Sequence, residues 1–190
     1  MLEALRSSGP PLRLHLGCGR KRLAGFFHID ALPFDHIDRV GPVEDLSFLP
    51  EGSVELIYAC HVLEHFGRHV YLDVLREWCR VLQPGGVLRV AVPDFAKCAE
   101  LYVAGKLPNG LADITGLVVG GQKDVYDYHK IVFDEPTLSE ALRQAGFSEV
   151  RHWDWREMLR NGLDDYSQAF HPHMDKENGE LMSLNLEAIR

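Results

Sequence analysis

His61, Glu64 and His65 stand at positions i, i+3 and i+4 of the segment His61-Val62-Leu63-Glu64-His65. If this segment is helical, the three side chains share one face. Two imidazoles and a carboxylate at that spacing can bind a divalent metal. They can equally supply a general base, because a neutral imidazole is suited to taking a hydroxyl proton near neutral pH. The base reading is preferred, and no residue is assigned as a metal ligand.

A second group of residues has chemistry of another kind. Gly17-Cys18-Gly19 follows the apolar run Leu12–Leu16, and Asp30 ends the next apolar run. Glycines let a backbone come close to a ligand, and a carboxylate at a strand end accepts hydrogen bonds from ribose hydroxyls. A strand, a glycine turn, a second strand and a terminal carboxylate therefore describe a nucleoside pocket. The dinucleotide pattern G-x-G-x-x-G fails at Arg22, and Asp30 lies only 11 residues beyond Gly19, where that pattern places its acid about 20 residues on. No G-K-[ST] follows the turn, so a phosphate loop is excluded as well. Taken alone, Gly-x-Gly fits a simple tight turn better than it fits a binding site.

The elements that must position these residues alternate along the chain. Apolar runs at Leu12–Leu16, residues 26–32, Val54–Cys60 and residues 87–92 read as buried strands. The last is entered through Pro84-Gly85-Gly86 and stopped by Pro93. Between residues 68 and 82, Tyr71, Val74, Leu75, Trp78, Cys79 and Leu82 recur at three- and four-residue spacing, which marks the buried face of a helix. A later helix is expected over residues 137–145, ended by Gly146, and late strands over 150–155 and 181–189. Short apolar strands alternating with helices predict an α/β fold with a mostly parallel sheet covered on both faces. Ligands in such sheets bind beyond the carboxyl ends of the strands. Gly17, Asp30, Cys60-His61 and Pro93-Asp94 all fall at such ends, so four segments are expected to meet in one crevice.

Composition sets the outer limits. A chain of 190 residues suits one domain with a sizeable core. The net charge of −8 argues against a general nucleic-acid binder, although Arg20, Lys21 and Arg22 form a local basic patch. No apolar stretch approaches the roughly 20 residues that span a bilayer, and the first residues lack a continuous apolar core, so neither a membrane anchor nor a signal peptide is expected. Cys18, Cys60, Cys79 and Cys98 are scattered without paired spacing, which fits reduced thiols in a cytoplasmic protein.

Three stretches carry a family resemblance: Leu14-His15-Leu16-Gly17-Cys18-Gly19, His61-Val62-Leu63-Glu64-His65 and Arg80-Val81-Leu82-Gln83-Pro84-Gly85-Gly86. In this order they resemble the class I S-adenosylmethionine-dependent methyltransferases, and most of all their small type-11 group. The resemblance covers about residues 12–155 and continues to the final strand. It implies a three-layer, Rossmann-like fold with a seven-stranded sheet whose last strand is antiparallel. It implies S-adenosylmethionine as cofactor and S-adenosylhomocysteine as product. Gly17 and Gly19 would pass beneath the methionine part, Asp30 would hold the ribose, and Asp45-Leu46 would lie by the adenine. The implied cofactor set is Gly17, Cys18, Gly19, Asp30, Ala31, Asp45, Leu46, Cys60 and His61. The acceptor pocket would fall near Tyr126-Asp127-Tyr128-His129-Lys130, so His129 joins His61, Glu64 and His65 as a catalytic candidate. The chain reads as a single domain over residues 1–190 with an acceptor-side insertion near 103–135.

Two departures from the family pattern stand out. Where many relatives carry Gly-Asp-Ala near the adenine, this chain has Gly41-Pro42-Val43, so a neighbouring acid must substitute, Asp45 in preference to Glu44. Only residues 20–25 separate Gly19 from Phe26, whereas a crossover between parallel strands usually needs a dozen or more residues. The first covering helix must then be reduced to about a turn, with a short amphipathic helix over residues 1–8 covering part of the sheet instead. Quieter features include Asp94, which faces the acceptor or simply turns the chain into the next helix. The stretch from Gly116 to Gln122, with Gly120-Gly121, reads as a flexible gating loop, and His171-Pro172-His173 as a solvated loop.

The function expected is methyl transfer from S-adenosylmethionine to a small-molecule hydroxyl, a sugar or glycan intermediate being one acceptor of that kind. The alternative is a regulatory or complex subunit that binds the cofactor or its product without transfer. An RNA acceptor is disfavoured by the acidic charge.

Overall fold

The computed structural model describes residues 11–190. The helix expected over residues 1–8 lies outside the described residues. Strands β1 (Leu12–Leu16), β2 (Phe27–Asp30), β3 (Arg39–Val40), β4 (Val54–Cys60) and β5 (Leu82–Pro93) are parallel. After β6 (Glu149–His152) and a separate pair, β7 (Phe170–His171) with β8 (Glu180–Leu181), the chain closes with β9 (Ser183–Ile189). β9 inserts between β5 and β6, antiparallel to both, giving the order β3-β2-β1-β4-β5-β9-β6. This is the mostly parallel seven-stranded sheet anticipated from the sequence. Among the described residues five α-helices accompany it: α1 (Tyr71–Val81), α2 (Phe95–Val103), α3 (Thr115–Val119), α4 (Glu135–Gln144) and α5 (Arg156–Arg160).

Side chains alternate across the strands, and the two faces differ in what covers them. Leu14, Leu16, Ile57, Ala59, Val90 and Val92 pack with Val74, Leu75 and Trp78 of α1 and Leu138 and Leu142 of α4. On the opposite face Tyr58 and Ala91 pack against Leu23, Trp153, Trp155, Met158 and Leu163. No helix joins β1 to β2, as the six-residue link requires. The face that such a helix would cover is taken by the chain following β6. That explains one difference from the sequence reading. The strand expected over 150–155 stops at His152, because Trp153 and Trp155 leave the sheet edge to cover Tyr58.

Other boundaries shift for local reasons. α4 starts at Glu135 because the Asp134 carboxylate accepts from the Thr137 amide at 2.9 Å, with Pro136 in the first turn. Asp94 likewise caps α2, accepting from the Lys97 amide at 3.2 Å. β5 begins at Leu82 rather than residue 87, and its pairing with β4 shifts register across Gln83–Gly86. Only glycine fits at position 86, where a Cβ would lie 2.8 Å from the Gln83 carbonyl oxygen. The expected strand over 181–189 is divided at fully buried Met182, so Leu181 pairs with Phe170 and Ser183 with Pro93.

Candidate functional site

The glycine turn is built from backbone positions that favour glycine. Gly17 and Gly19 have φ of 58° and 53°, and a Cβ on Gly17 would meet Val62 Cγ2 at 2.5 Å. The Gly17 amide donates to the Ile29 carbonyl at 2.9 Å, and the Gly19 amide donates to Asp30 Oδ2 at 2.8 Å. The Leu32 amide donates to Asp30 Oδ1 at 2.9 Å. The carboxylate thus holds both strand ends while keeping lone pairs for a ligand hydroxyl.

Three adjoining clefts open beyond the strand ends. The first, about 600 Å³, is lined by Gly17, Asp30, Ala31, Pro42, Glu44 and His61 among others. The second, about 550 Å³, runs along Gly17-Cys18-Gly19 past Cys60, His61 and Asp165. The third, about 460 Å³, is lined by His61, His65, His129, Tyr166, His171 and His173 among others. His61 borders all three, at a left-handed backbone position (φ 53°) just beyond β4. Such a conformation is uncommon outside glycine, though histidine tolerates it better than most residues. Asp45 and Leu46 line none of these three clefts. Leu46 is fully buried, and its amide donates to Glu77 Oε1 at 3.0 Å. The Asp45 carboxylate is exposed and turned back onto Ser47, whose amide lies at 3.0 Å, and the Ser47 hydroxyl and then its amide hold it below the usual carboxylate range. The wall beside Asp30 is made instead by Gly41, Pro42, Val43 and Glu44.

The histidine–carboxylate group is brought together by tertiary structure as much as by helical spacing. Only Leu63–His65 forms a single 3₁₀ turn, and His61 stands before it. His61 Nδ1 lies 3.5 Å from Glu64 Oε1, and His129 Nε2 lies 3.9 Å from the same oxygen. The His65 and His129 rings meet edge to face with centroids 4.9 Å apart. The Lys130 amide bonds the Glu64 carbonyl at 2.8 Å and so fixes the His129 segment against the turn. His65 Nδ1 lies 3.1 Å from the Tyr128 carbonyl, and His129 Nδ1 lies 2.9 Å from the Leu117 carbonyl. A carbonyl only accepts, so both rings carry their proton on Nδ1 and leave the Nε2 lone pair free. His61 Nε2 faces Ser183 Oγ at 3.2 Å.

Burial governs the charges here. Desolvation pushes Glu64 up to about 8. It drives His61 down to about 3, with the His129 and His65 imidazoles adding to the effect. His65 and His129 are lowered for the same first reason, so all three imidazoles are neutral at pH 7. Both Glu64 carboxyl oxygens are buried without a hydrogen-bond partner. Burial also raises the thiols of Cys18, to about 12, and Cys60, so neither is an activated nucleophile.

Sequence reasoning missed Tyr166 and Met174 and read His171-Pro172-His173 as a solvated loop, yet all of these line the histidine cleft. His171-Pro172-His173 was visible as a motif, but nothing local links it to a site that forms only when β7 folds back. The expected loop from Gly116 to Gln122 is not loose: residues 116–119 belong to α3, and Gly120-Gly121 is tied down. The Gln122 amide bonds the Asp127 carbonyl at 2.8 Å and the His129 amide bonds the Val119 carbonyl at 3.2 Å. Tyr126 borders the first cleft, whereas Phe133 is core, packed edge to face on Tyr71.

Comparison with known proteins agrees with this geometry. Residues 30–90 match the family model described as a methyltransferase domain. A demethylmenaquinone methyltransferase from Staphylococcus saprophyticus is 33% identical over 43% of this chain, and the match spans only 37% of that relative's length. A SAM-dependent methyltransferase from Thermotoga maritima superposes with a TM-score of 0.59 at 18% identity, covering 99% of this chain and 86% of that one. A 1,6-didemethyltoxoflavin-N1-methyltransferase from Burkholderia thailandensis, solved with 1,6-didemethyltoxoflavin and S-adenosylhomocysteine, superposes with a TM-score of 0.56 at 15% identity, covering 95% and 71%. At such identities the structural likeness establishes the fold.

Proposed function

We propose that this chain, whose residues 30–90 match a methyltransferase domain and whose fold is that of S-adenosylmethionine-dependent methyltransferases, transfers the methyl group of S-adenosylmethionine to a hydroxyl of a small molecule held in the histidine-lined cleft. The observation that carries this reading is the position of His61, which borders the two clefts along the glycine turn and Asp30 and also the cleft of His65 and His129.

The cofactor fits what these residues offer. Gly17 and Gly19 present bare backbone where a side chain would obstruct it, and Asp30 offers a carboxylate to vicinal hydroxyls. Glu44 lines the cleft beside Asp30 and Asp45 does not, which supports Glu44 as the acid that meets the base. S-adenosylmethionine, when bound, supplies a sulfonium methyl for in-line displacement. The chain's part is to align the acceptor and to ease loss of its proton. Neutral Nε2 atoms on His65 and His129 suit that task. The segment near residues 103–135 supplies the acceptor side of what we take as one domain over residues 1–190. A sugar or glycan intermediate is the acceptor class we favour, since Asp113, Asp127, His129 and Tyr166 offer polar groups along the cleft. Free thiols at all four cysteines accord with a cytoplasmic setting. No helix among the described residues is long and apolar enough to cross a membrane.

The test uses S-adenosylmethionine labelled on its methyl group, incubated with the protein and a fractionated cell extract. A labelled small molecule whose formation falls in His65→Ala and His129→Ala supports the reading. S-adenosylhomocysteine binding without any labelled product would instead support a regulatory binding subunit. Unchanged turnover in both variants would refute the acceptor-site assignment.

A further inference from the structure

We propose that Glu64, His65 and His129 form a binding site for one divalent transition-metal cation, open to the acceptor cleft. The three residues each offer a ligand atom, and these atoms all lie within 4.8 Å of one another. Drawing in by roughly 1 Å would bring them to the ~2.1 Å ligand distances such cations take. Spacing alone favours a general base. Three features of the fold favour a cation.

The first is Glu64 itself. Its side chain is 1% exposed, and neither carboxyl oxygen has a hydrogen-bond partner. A buried polar group left without a partner costs about 1–3 kcal/mol, and more when charged. A cation between Glu64 and the imidazoles removes that cost.

The second is the orientation of the rings. His65 and His129 each give their Nδ1 proton to a backbone carbonyl, of Tyr128 and Leu117. Metal-bound histidines nearly always donate their other ring N–H in this way, which fixes the tautomer and aims the free nitrogen. Here His129 Nε2 is the atom facing Glu64. The third is His61, whose Nδ1 lies 3.5 Å from Glu64 Oε1 and is placed to steady the carboxylate without being a ligand.

Two imidazoles with one carboxylate select zinc-like cations over calcium or magnesium, which prefer all-oxygen sites. Three protein ligands also leave a coordination position open, the pattern of reactive rather than structural sites. His65 and His129 line the same cleft as Tyr166 and His171. A hydroxyl entering that cleft would meet the cation, whose charge would lower its proton affinity, so that with the cation bound the two Nε2 atoms act as ligands and not as bases. This effect on the hydroxyl rests on the methyl-transfer reading, whereas cation binding does not.

The experiment strips the purified protein with chelator and titrates it with Co²⁺ alone, following visible absorption and calorimetry, with Zn²⁺ as competitor. One equivalent of Co²⁺ per chain is expected, displaced by Zn²⁺, with affinity falling at least tenfold in Glu64→Gln and in His129→Ala. Glu64→Gln keeps the side-chain volume, and its thermal melt establishes that it folds. Absence of a saturable Co²⁺ signal, or equal affinity in folded Glu64→Gln, would overturn the proposal. S-adenosylhomocysteine binding is measured on the stripped protein in parallel. Cobalt binding without it leaves the metal site standing and removes the transferase reading. The converse result does the opposite.

Discussion

The Gly19 amide and the Asp30 carboxylate are joined by a 2.8 Å hydrogen bond that closes the glycine turn onto the end of β2. With no helix between β1 and β2, this bond and that of the Leu32 amide to the other oxygen do the work of anchoring the turn. Hydrogen bonds to a charged group contribute about 1.5–3 kcal/mol. Asp30→Ala should therefore weaken S-adenosylhomocysteine binding by at least roughly tenfold and also lower stability. Calorimetry with the product checks the first, and wild-type affinity would remove Asp30 from the cofactor site.

Gly17→Ala separates backbone strain from crowding. Its φ of 58° costs a non-glycine residue about 1–2 kcal/mol. A Cβ there lies 2.5 Å from Val62 Cγ2, and relieving such overpacking costs about 1–3 kcal/mol. Urea denaturation should show both losses in Gly17→Ala. In the double variant with Val62→Ala the new substitution should cost less than it does alone, leaving only the strain. Simple additivity would show that Val62 does not crowd the site.

The sequence made some of this legible and hid the rest for physical reasons. Val54–Cys60 is a strand at the expected bounds because a continuous apolar run between polar turns has few alternatives. The missing first crossover helix followed from chain length alone. The cover that replaces it did not, because Trp153, Trp155 and Leu163 reach Tyr58 only through tertiary packing, and such contacts leave no local periodicity. The family resemblance puts Asp45 and Leu46 by the adenine, yet in the fold Leu46 is buried in the core and Asp45 beside it is exposed, and neither lines any of the three clefts. Glu64 and His65 were legible as a pair. Their meeting with His129 depends on the Lys130 amide bonding the Glu64 carbonyl, a link that spacing cannot reveal.

Acid sensitivity should trace in part to His15. It is 2% exposed, and burial, with the neighbouring His28 and His36 imidazoles, lowers it from 6.5 to about 3. The folded state refuses a proton that the unfolded chain accepts below pH 6.5. Stability from this group is therefore complete above pH 6.5 and is lost as pH falls toward 3, by up to ~1.4 kcal/mol per pH unit. His15→Leu should flatten the acid limb of a stability-against-pH curve by about one proton in that window. An unchanged slope would show that His15 is protonated in the fold.

Tyr58 pins the covering segment to the sheet. Its hydroxyl donates to Asp165 Oδ2 at 2.7 Å, while the Ser167 hydroxyl donates to Oδ1 at 2.6 Å. Tyr58→Phe leaves a buried carboxylate oxygen without its partner, which should cost about 1–3 kcal/mol by denaturant unfolding. Because Asp165 and Tyr166 border the glycine-turn cleft, cofactor affinity should fall as well. A loss of stability with unchanged affinity would mean that this segment does not help hold the cofactor.

Gly120→Ala tests whether the acceptor side is positioned by its backbone. Gly120 is buried with φ of 83°, and a Cβ there would overlap the Asp127 carbonyl oxygen and lie 3.0 Å from the His129 amide nitrogen. The alanine must therefore push residues 127–129 outward, and His129 with them, away from Glu64 and from the Leu117 carbonyl that orients its ring. Misplacing a reacting group by about 1 Å costs on the order of 100-fold in rate. Gly120 lines neither of the two clefts along the glycine turn and Asp30, so S-adenosylhomocysteine affinity should stay within roughly threefold of wild type. Turnover and Co²⁺ affinity should both drop by tenfold or more. Parallel loss of product affinity would mean that the acceptor loop and the cofactor site are one cooperative unit, and full activity would show that His129 is not held by this loop.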